Sequence, residues 1–148
     1  MTIYAITTTN TGRTSYRAIA SEAELMGGET PSPQPPEPTM ADVAAALTAD
    51  IQSWLDGTAA ENGYDSLASC ISYKDSAIAQ WAEDATAALI WRDAVWQAAF
   101  AWQQSASANP PATFPTSAEV ITGLPQAVDY GWVVHEPGAA TALLVGSN

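Results

Sequence analysis

Residues Asp75 to Gln104 read DSAIAQWAEDATAALIWRDAVWQAAFAWQQ, a run with no glycine or proline to interrupt a helix. Ile78, Trp81, Ala85, Ala88, Arg92, Val95, Ala99 and Trp102 recur by threes and fours, the spacing that gathers side chains on one helical face. Leu89, Trp96 and Phe100 widen that stripe, while Trp91 is read as facing away from its centre. The spacing predicts one long helix over 75–104.

The helix needs a partner, and the residues before it supply one. Thr39-x-x-Asp42 has the form of a helix start, with an acid near the positive helix end. Val43, Leu47, Ile51, Trp54 and Leu55 then share a face, and Gly57 suits a left-handed stop. A short helical turn is expected over Ser66–Ile71, with Asp65 as N-cap and Leu67, Cys70 and Ile71 inward. Before the helices, Thr2 to Thr9 is β-branched and aromatic, Asn10-Thr11-Gly12 is turn chemistry, and Thr14 to Ile19 is a hairpin partner. In ETPSPQPPEP (Glu29–Pro38) five prolines in ten residues remove amide donors, and the stretch reads as a semi-rigid spacer. After Asn109-Pro110-Pro111, Thr116-x-x-Glu119 opens a short helix, and Val128–Val134 and Ala142–Val145 read as strands about a turn at Pro137-Gly138.

The fold class expected is α+β, mainly α. A central helical hairpin with a long Trp-rich helix carries small N- and C-terminal β elements. The divisions are a β element over 1–30, a proline-rich linker over 31–38, a helical module over 39–106, and a short helix and hairpin over 107–148.

Sixteen acids against four Lys and Arg give a net charge of −12, which repels phosphate backbones and anionic lipid. Nucleic-acid binding and membrane insertion are therefore not expected, and no apolar run reaches membrane-spanning length. Met1-Thr2-Ile3-Tyr4 lacks the basic start of a signal peptide.

Catalytic equipment is sparse. Cys70 is the single cysteine, set in an apolar helical turn, and His135 is the single histidine, read as a strand-edge residue. Glu83 and Asp84 diverge by about 100° on a helix, and Asp65, Asp75 and Asp93 could meet across helices only as any acidic chain's carboxylates can. No metal-ligand spacing or phosphate loop occurs, so neither metal nor cofactor is expected, and the chain is read as non-catalytic. Arg92 stands in the apolar stripe, where a guanidinium needs a carboxylate. Asp65 is the first candidate for this structural clasp and Asp56 the second. Four of the six tryptophans, Trp81, Trp91, Trp96 and Trp102, fall on one helix. One stripe cannot bury all four, which makes them candidate protein-binding residues.

Trp54-Leu55-Asp56-Gly57-Thr58-Ala59-Ala60-Glu61-Asn62-Gly63-Tyr64-Asp65-Ser66, then Ser69-Cys70-Ile71-Ser72-Tyr73, then Trp91-Arg92-Asp93-Ala94-Val95-Trp96 resemble a family of small proteins encoded in phage tail-fibre regions. Phe114-Pro115-Thr116-Ser117-Ala118-Glu119 and Leu124-Pro125 are similar to that family's closing segment, so the resemblance spans about residues 40–125. It implies a tail-associated structural or adaptor protein in the virion, made in the host cytoplasm. Its partners would be tail-fibre or baseplate proteins, within an oligomeric assembly. The alternative it implies is a tail-fibre assembly chaperone that leaves before the particle is complete. The helices here are more acidic than the family pattern, and no catalytic residue carries over.

Overall fold

The computed structural model describes residues 1–135, in two compact units divided at Thr48 and Ala49. The fold is α+β and mainly α, with the described residues about 52% helical and including a small three-stranded sheet.

In the first unit, β1 (Ile3–Thr8) and β2 (Thr14–Ile19) form the expected antiparallel hairpin, with Ile3 opposite Ile19 and Thr8 opposite Thr14. The turn closes through Thr9 N–H to Arg13 O and Gly12 N–H to Thr9 O. A third strand, β3 (Thr30–Ser32), pairs with the other side of β1 and gives the order β2-β1-β3. It lies at the start of the proline stretch read as a spacer. Pro31 is tolerated because β3 is an edge strand, where a missing N–H need not face a neighbour. Arg17 grips Glu29 through Nε at 3.1 Å and Nη2 at 2.9 Å, tying β2 to the approach of β3. That bidentate bond lowers the Glu29 pKa.

Helix α1 (Met40–Glu61) starts as expected: Thr39 Oγ1 accepts from Asp42 N–H, and Asp42 Oδ2 accepts from Thr39 N–H at 2.9 Å. Asp42 also accepts from the Thr39 hydroxyl at 2.9 Å, from the Thr14 amide at 2.7 Å, and from the Thr14 hydroxyl. Partial burial raises the Asp42 pKa, but these four hydrogen bonds outweigh it and hold the carboxyl at about 2.

Gly57 does not stop α1. The helix runs four residues further, to Glu61, and is closed off at Gly63, whose φ of +85° is the left-handed conformation a side chain disfavours. Gly63 N–H donates to Ala60 O and Tyr64 N–H to Ala59 O, the paired closure that satisfies the last carbonyls. Gly57 is one unfavourable residue inside a long helix, a cost of about 1 kcal/mol that the flanking apolar turns offset.

In the second unit, α2 (Leu67–Ile71) follows, with Ser66 rather than Asp65 as N-cap: its hydroxyl accepts from Ser69 N–H at 3.0 Å. Helix α3 (Ala79–Ala108) begins four residues later than the pattern suggests, because Tyr73 to Ser76 are spent on a turn. Its buried line is Asp84, Ala88, Trp91, Val95, Ala99 and Ala106. Ile51, Leu55, Ala59, Leu67 and Cys70 from α1 and α2 complete the unit's core. Each large apolar side chain removed from water there contributes roughly 1.5–3 kcal/mol.

Helix α4 (Ser117–Thr122) carries the expected Thr116–Glu119 capping box. The expected strand over 128–134 is absent. Ala127–Tyr130 is a 3-10 turn ended by left-handed Gly131, and the chain continues to His135 without pairing into a sheet. Val128, Val133 and Val134 are instead exposed. The expected strand at Ala142–Val145 lies outside the described residues.

Candidate functional site

Arg92 does not meet Asp65. Its guanidinium donates to the carboxylate beside it, Asp93 Oδ1, from Nε at 3.0 Å and Nη2 at 2.9 Å, and both side chains are well exposed. Asp65 is exposed too, and Asp56 is spent on the α2 start, where Oδ1 accepts from Leu67 N–H at 2.9 Å. The expected face stays buried at Ala85, Ala88, Val95 and Ala99, but between Ala88 and Val95 it takes in Trp91 on one flank, leaving Arg92, about 100° further round the helix, on the other flank toward solvent. Burying a guanidinium costs several kcal/mol. Burying the neighbouring indole leaves only one N–H to satisfy, and Pro125 O does that at 2.8 Å from Trp91 Nε1. Trp91, read as facing away, is thus fully buried.

The other three candidate tryptophans are each half-buried. Trp81 packs edge-on against Tyr73, ring centres 5.2 Å apart, and Tyr73 leans on Tyr64. Trp96 and Trp102 lie near Phe100 in sequence, which is 62% exposed, and Ile90 on the same helix is 52% exposed.

The buried charge that the second unit does hold is Asp84, 5% exposed. Its carboxylate accepts from Tyr64 Oη at 2.9 Å and faces His135 Nε2 at 2.9 and 3.1 Å, with Asn62 Nδ2 at 3.5 Å. Burial, then the carboxylate's hydrogen bond and charge, push the Tyr64 phenol well above its ordinary range. Asn62 also grips the main chain, where its Nδ2 donates to Val133 O and its Oδ1 accepts from His135 N–H, both at 2.8 Å. One amide side chain therefore binds the main chain of 133–135 on both sides, as a neighbouring strand would.

His135 is not a strand-edge residue but the partner of Asp84. A His–Asp pair can orient an imidazole for proton transfer, yet that chemistry needs a nucleophile on the other ring nitrogen. Among the described residues, none hydrogen-bonds to His135 Nδ1. Cys70 does not supply one: burial and the nearby Asp84 charge push its thiol up to about 12, against a smaller opposing effect of the Tyr64 hydroxyl. What the network can do is position the chain.

The segment it positions forms one wall of a pocket of about 530 Å³, lined by Trp54, Thr58 and Glu61 of α1, Trp91 of α3, and residues 126–128 and 132–134. Trp54 and Trp91 stand nearly perpendicular, centroids 5.0 Å apart at 83°. Trp132, folded inward after Gly131, is 5% exposed, and its Nε1–H is buried with no acceptor among the described residues. Trp54, Trp132, Asp84, Asn62 and His135 do not stand out as site residues in the sequence. The one usable signal is Asp84 on the line 84-88-91-95-99, where an acid must find donors.

Among the described residues, no group of three or more metal-ligating side chains occurs, and no helix is long and apolar enough to cross a membrane. No known protein family, curated protein or solved structure matches this chain.

Proposed function

We propose that the chain is a non-catalytic structural or adaptor protein of a phage tail, helping to attach or assemble tail fibres or baseplate. The observation that carries the binding part is the set of large apolar side chains along α3 that the described residues leave incompletely covered. Phe100 and Ile90 are more than half exposed, and Trp81, Trp96 and Trp102 are only partly covered. Large, partly exposed aromatics are enriched at protein interfaces because they bring wide contact area at low conformational cost. The tail context rests on the resemblance of residues 40–125 to proteins of tail-fibre regions. The non-catalytic part is supported by the absence, among the described residues, of a nucleophile bonded to the His135 ring, and by burial that pushes the Cys70 thiol up, away from the reactive thiolate.

Quantitative mass spectrometry of purified particles tests this reading. The protein is expected at a fixed ratio to tail components, and Phe100→Ser should lower its incorporation. Its absence from particles, together with misfolded fibre in a deletion strain, would replace the subunit by a chaperone. Absence with normal fibres and infectivity would end the tail reading.

A further inference from the structure

We propose that Asn62 is a site of spontaneous modification: its side-chain amide is lost to attack by the Gly63 nitrogen when residues 133–135 lift away, and the acid so formed keeps them from returning. The site does not depend on what the chain binds.

Of the four asparagines, Asn10, Asn62, Asn109 and Asn148, only Asn62 is followed by glycine. With no Cβ on the next residue, its main-chain nitrogen reaches the asparagine side-chain carbonyl carbon unhindered. The Gly63 nitrogen attacks Cγ of Asn62, the Cγ–Nδ2 bond breaks, and ammonia leaves with the proton from Gly63 N–H. Water then opens the cyclic imide at one of its two carbonyls, giving aspartate or its β-linked isomer. Water is the only co-reactant.

In the closed arrangement both reacting groups are occupied. The Gly63 amide donates to Ala60 O at 3.0 Å as part of the closure of α1. The Asn62 side chain is committed elsewhere, with Nδ2 donating to Val133 O and Oδ1 accepting from His135 N–H, both at 2.8 Å. Those two bonds must break before Cγ can swing over the Gly63 nitrogen. Residues 133–135 are held further by the His135–Asp84 contact, so the rate at Asn62 follows how often this segment opens.

Conversion also destroys what Asn62 does in the network. Its Nδ2 lies between two acceptors, Val133 O at 2.8 Å and Asp84 Oδ2 at 3.5 Å. A carboxylate at position 62 has no hydrogen to give either of them, and it sets a second negative charge beside the buried one of Asp84. The β-linked isomer adds a main-chain carbon and displaces the group altogether. An opening that ends in conversion is therefore permanent, and the pocket loses the wall formed by Val133 and Val134.

The test is peptide mass spectrometry of the full chain incubated in neutral buffer, both native and unfolded in urea. Asn10 and Asn109 serve as internal controls, since the first precedes a β-branched threonine and the second a proline with no N–H. In urea Asn62 should convert fastest of the three, and in the native chain at least about tenfold more slowly. His135→Pro removes both the amide that Asn62 accepts from and the ring that faces Asp84. With its far-UV circular dichroism unchanged, this variant should convert several-fold faster than the native parent. Asn62→Asp should speed hydrogen exchange at the His135 amide while the amides around Trp91 keep their protection. Equal rates in buffer and in urea would overturn the gating, as would a folded His135→Pro that converts no faster than the parent. No conversion at Asn62 in urea would remove the site itself. Parental exchange at the His135 amide in Asn62→Asp would show that conversion does not hold the segment open.

Discussion

Replacing Asp84 with alanine separates a structural network from a decorative one. The carboxylate accepts two short hydrogen bonds, from Tyr64 and His135, and a third contact at 3.5 Å from Asn62. Hydrogen bonds to an ionised group contribute about 1.5–3 kcal/mol each when buried. Three corrections lower their sum. Removing a buried carboxylate also removes the cost of its desolvation. Tyr64 and His135 are only partly buried and regain water. The Asn62 contact is too long to count fully. About 2–3 kcal/mol of destabilisation remains, or roughly 4–12 °C in Tm for a chain of this size. All six tryptophans lie between positions 54 and 132, so their fluorescence during urea unfolding reports on the second unit alone. Tyr64→Phe should cost less, about 1 kcal/mol, and the double variant should fall short of additivity by at least about 0.5 kcal/mol. An Asp84→Ala midpoint within about 0.3 kcal/mol of the parent, or full additivity, would refute the idea that this network positions the pocket wall.

The two glycines of α1 and its end should respond with opposite signs. Gly57→Ala gains about 0.5–1 kcal/mol, since nothing lies within 4 Å of the new methyl and the helix continues through it, whereas Gly63→Ala loses about 1 kcal/mol or more at φ +85°. Denaturant titration decides both, and a loss at Gly57 would mean that the helix breaks there. Arg92→Ala should change stability by less than about 0.5 kcal/mol, because its bond to Asp93 is solvent-exposed; a loss above about 1.5 kcal/mol would restore a buried clasp. Asp42 has a folded pKa near 2, below its unfolded value, so its contribution is fully present above about pH 4 and lost as pH falls toward 2. After discounting for its partial exposure, Asp42→Asn should cost about 1–2 kcal/mol at neutral pH and progressively less in acid. Amide exchange at Thr14 and Asp42 reads this, and a pH-independent difference would show that the charge is not what the four donors hold.

Local chemistry was legible wherever neighbours in sequence decide the outcome. The Thr39–Asp42 and Thr116–Glu119 boxes, the Asn10–Gly12 turn and the β1–β2 hairpin all rest on contacts within a few residues, and they form as read. Errors arose where a local signal competes with a distant one. Gly57 is a plausible stop until the apolar turns beyond it are counted. Arg92 sits in the stripe and Trp91 off its centre, yet the indole is the one turned inward, where Pro125 O, 34 residues away, satisfies its N–H. Val128 to Val134 alternates as a strand would, but no strand lies beside it among the described residues, and Asn62 takes that role with a single side chain. The pocket was the least legible part, since Trp54, Trp91 and Trp132 are separated by 37 and 41 positions and their meeting depends on α1 packing against α3.

Asn62 has a consequence for the order of assembly. Its bonds reach 71 and 73 residues along the chain, about twice the span of the Trp91–Pro125 link. Doubling a loop adds only about 0.6 kcal/mol to its closure, but those contacts repay nothing until α1, α3 and the 127–130 turn are already in place. Residues 133–135 are then a latch that closes after the body has set and opens again at the cost of a few polar bonds, with the helices intact. In hydrogen exchange, the His135 amide should be released by this local opening, well below the free energy needed to expose the amides around Trp91.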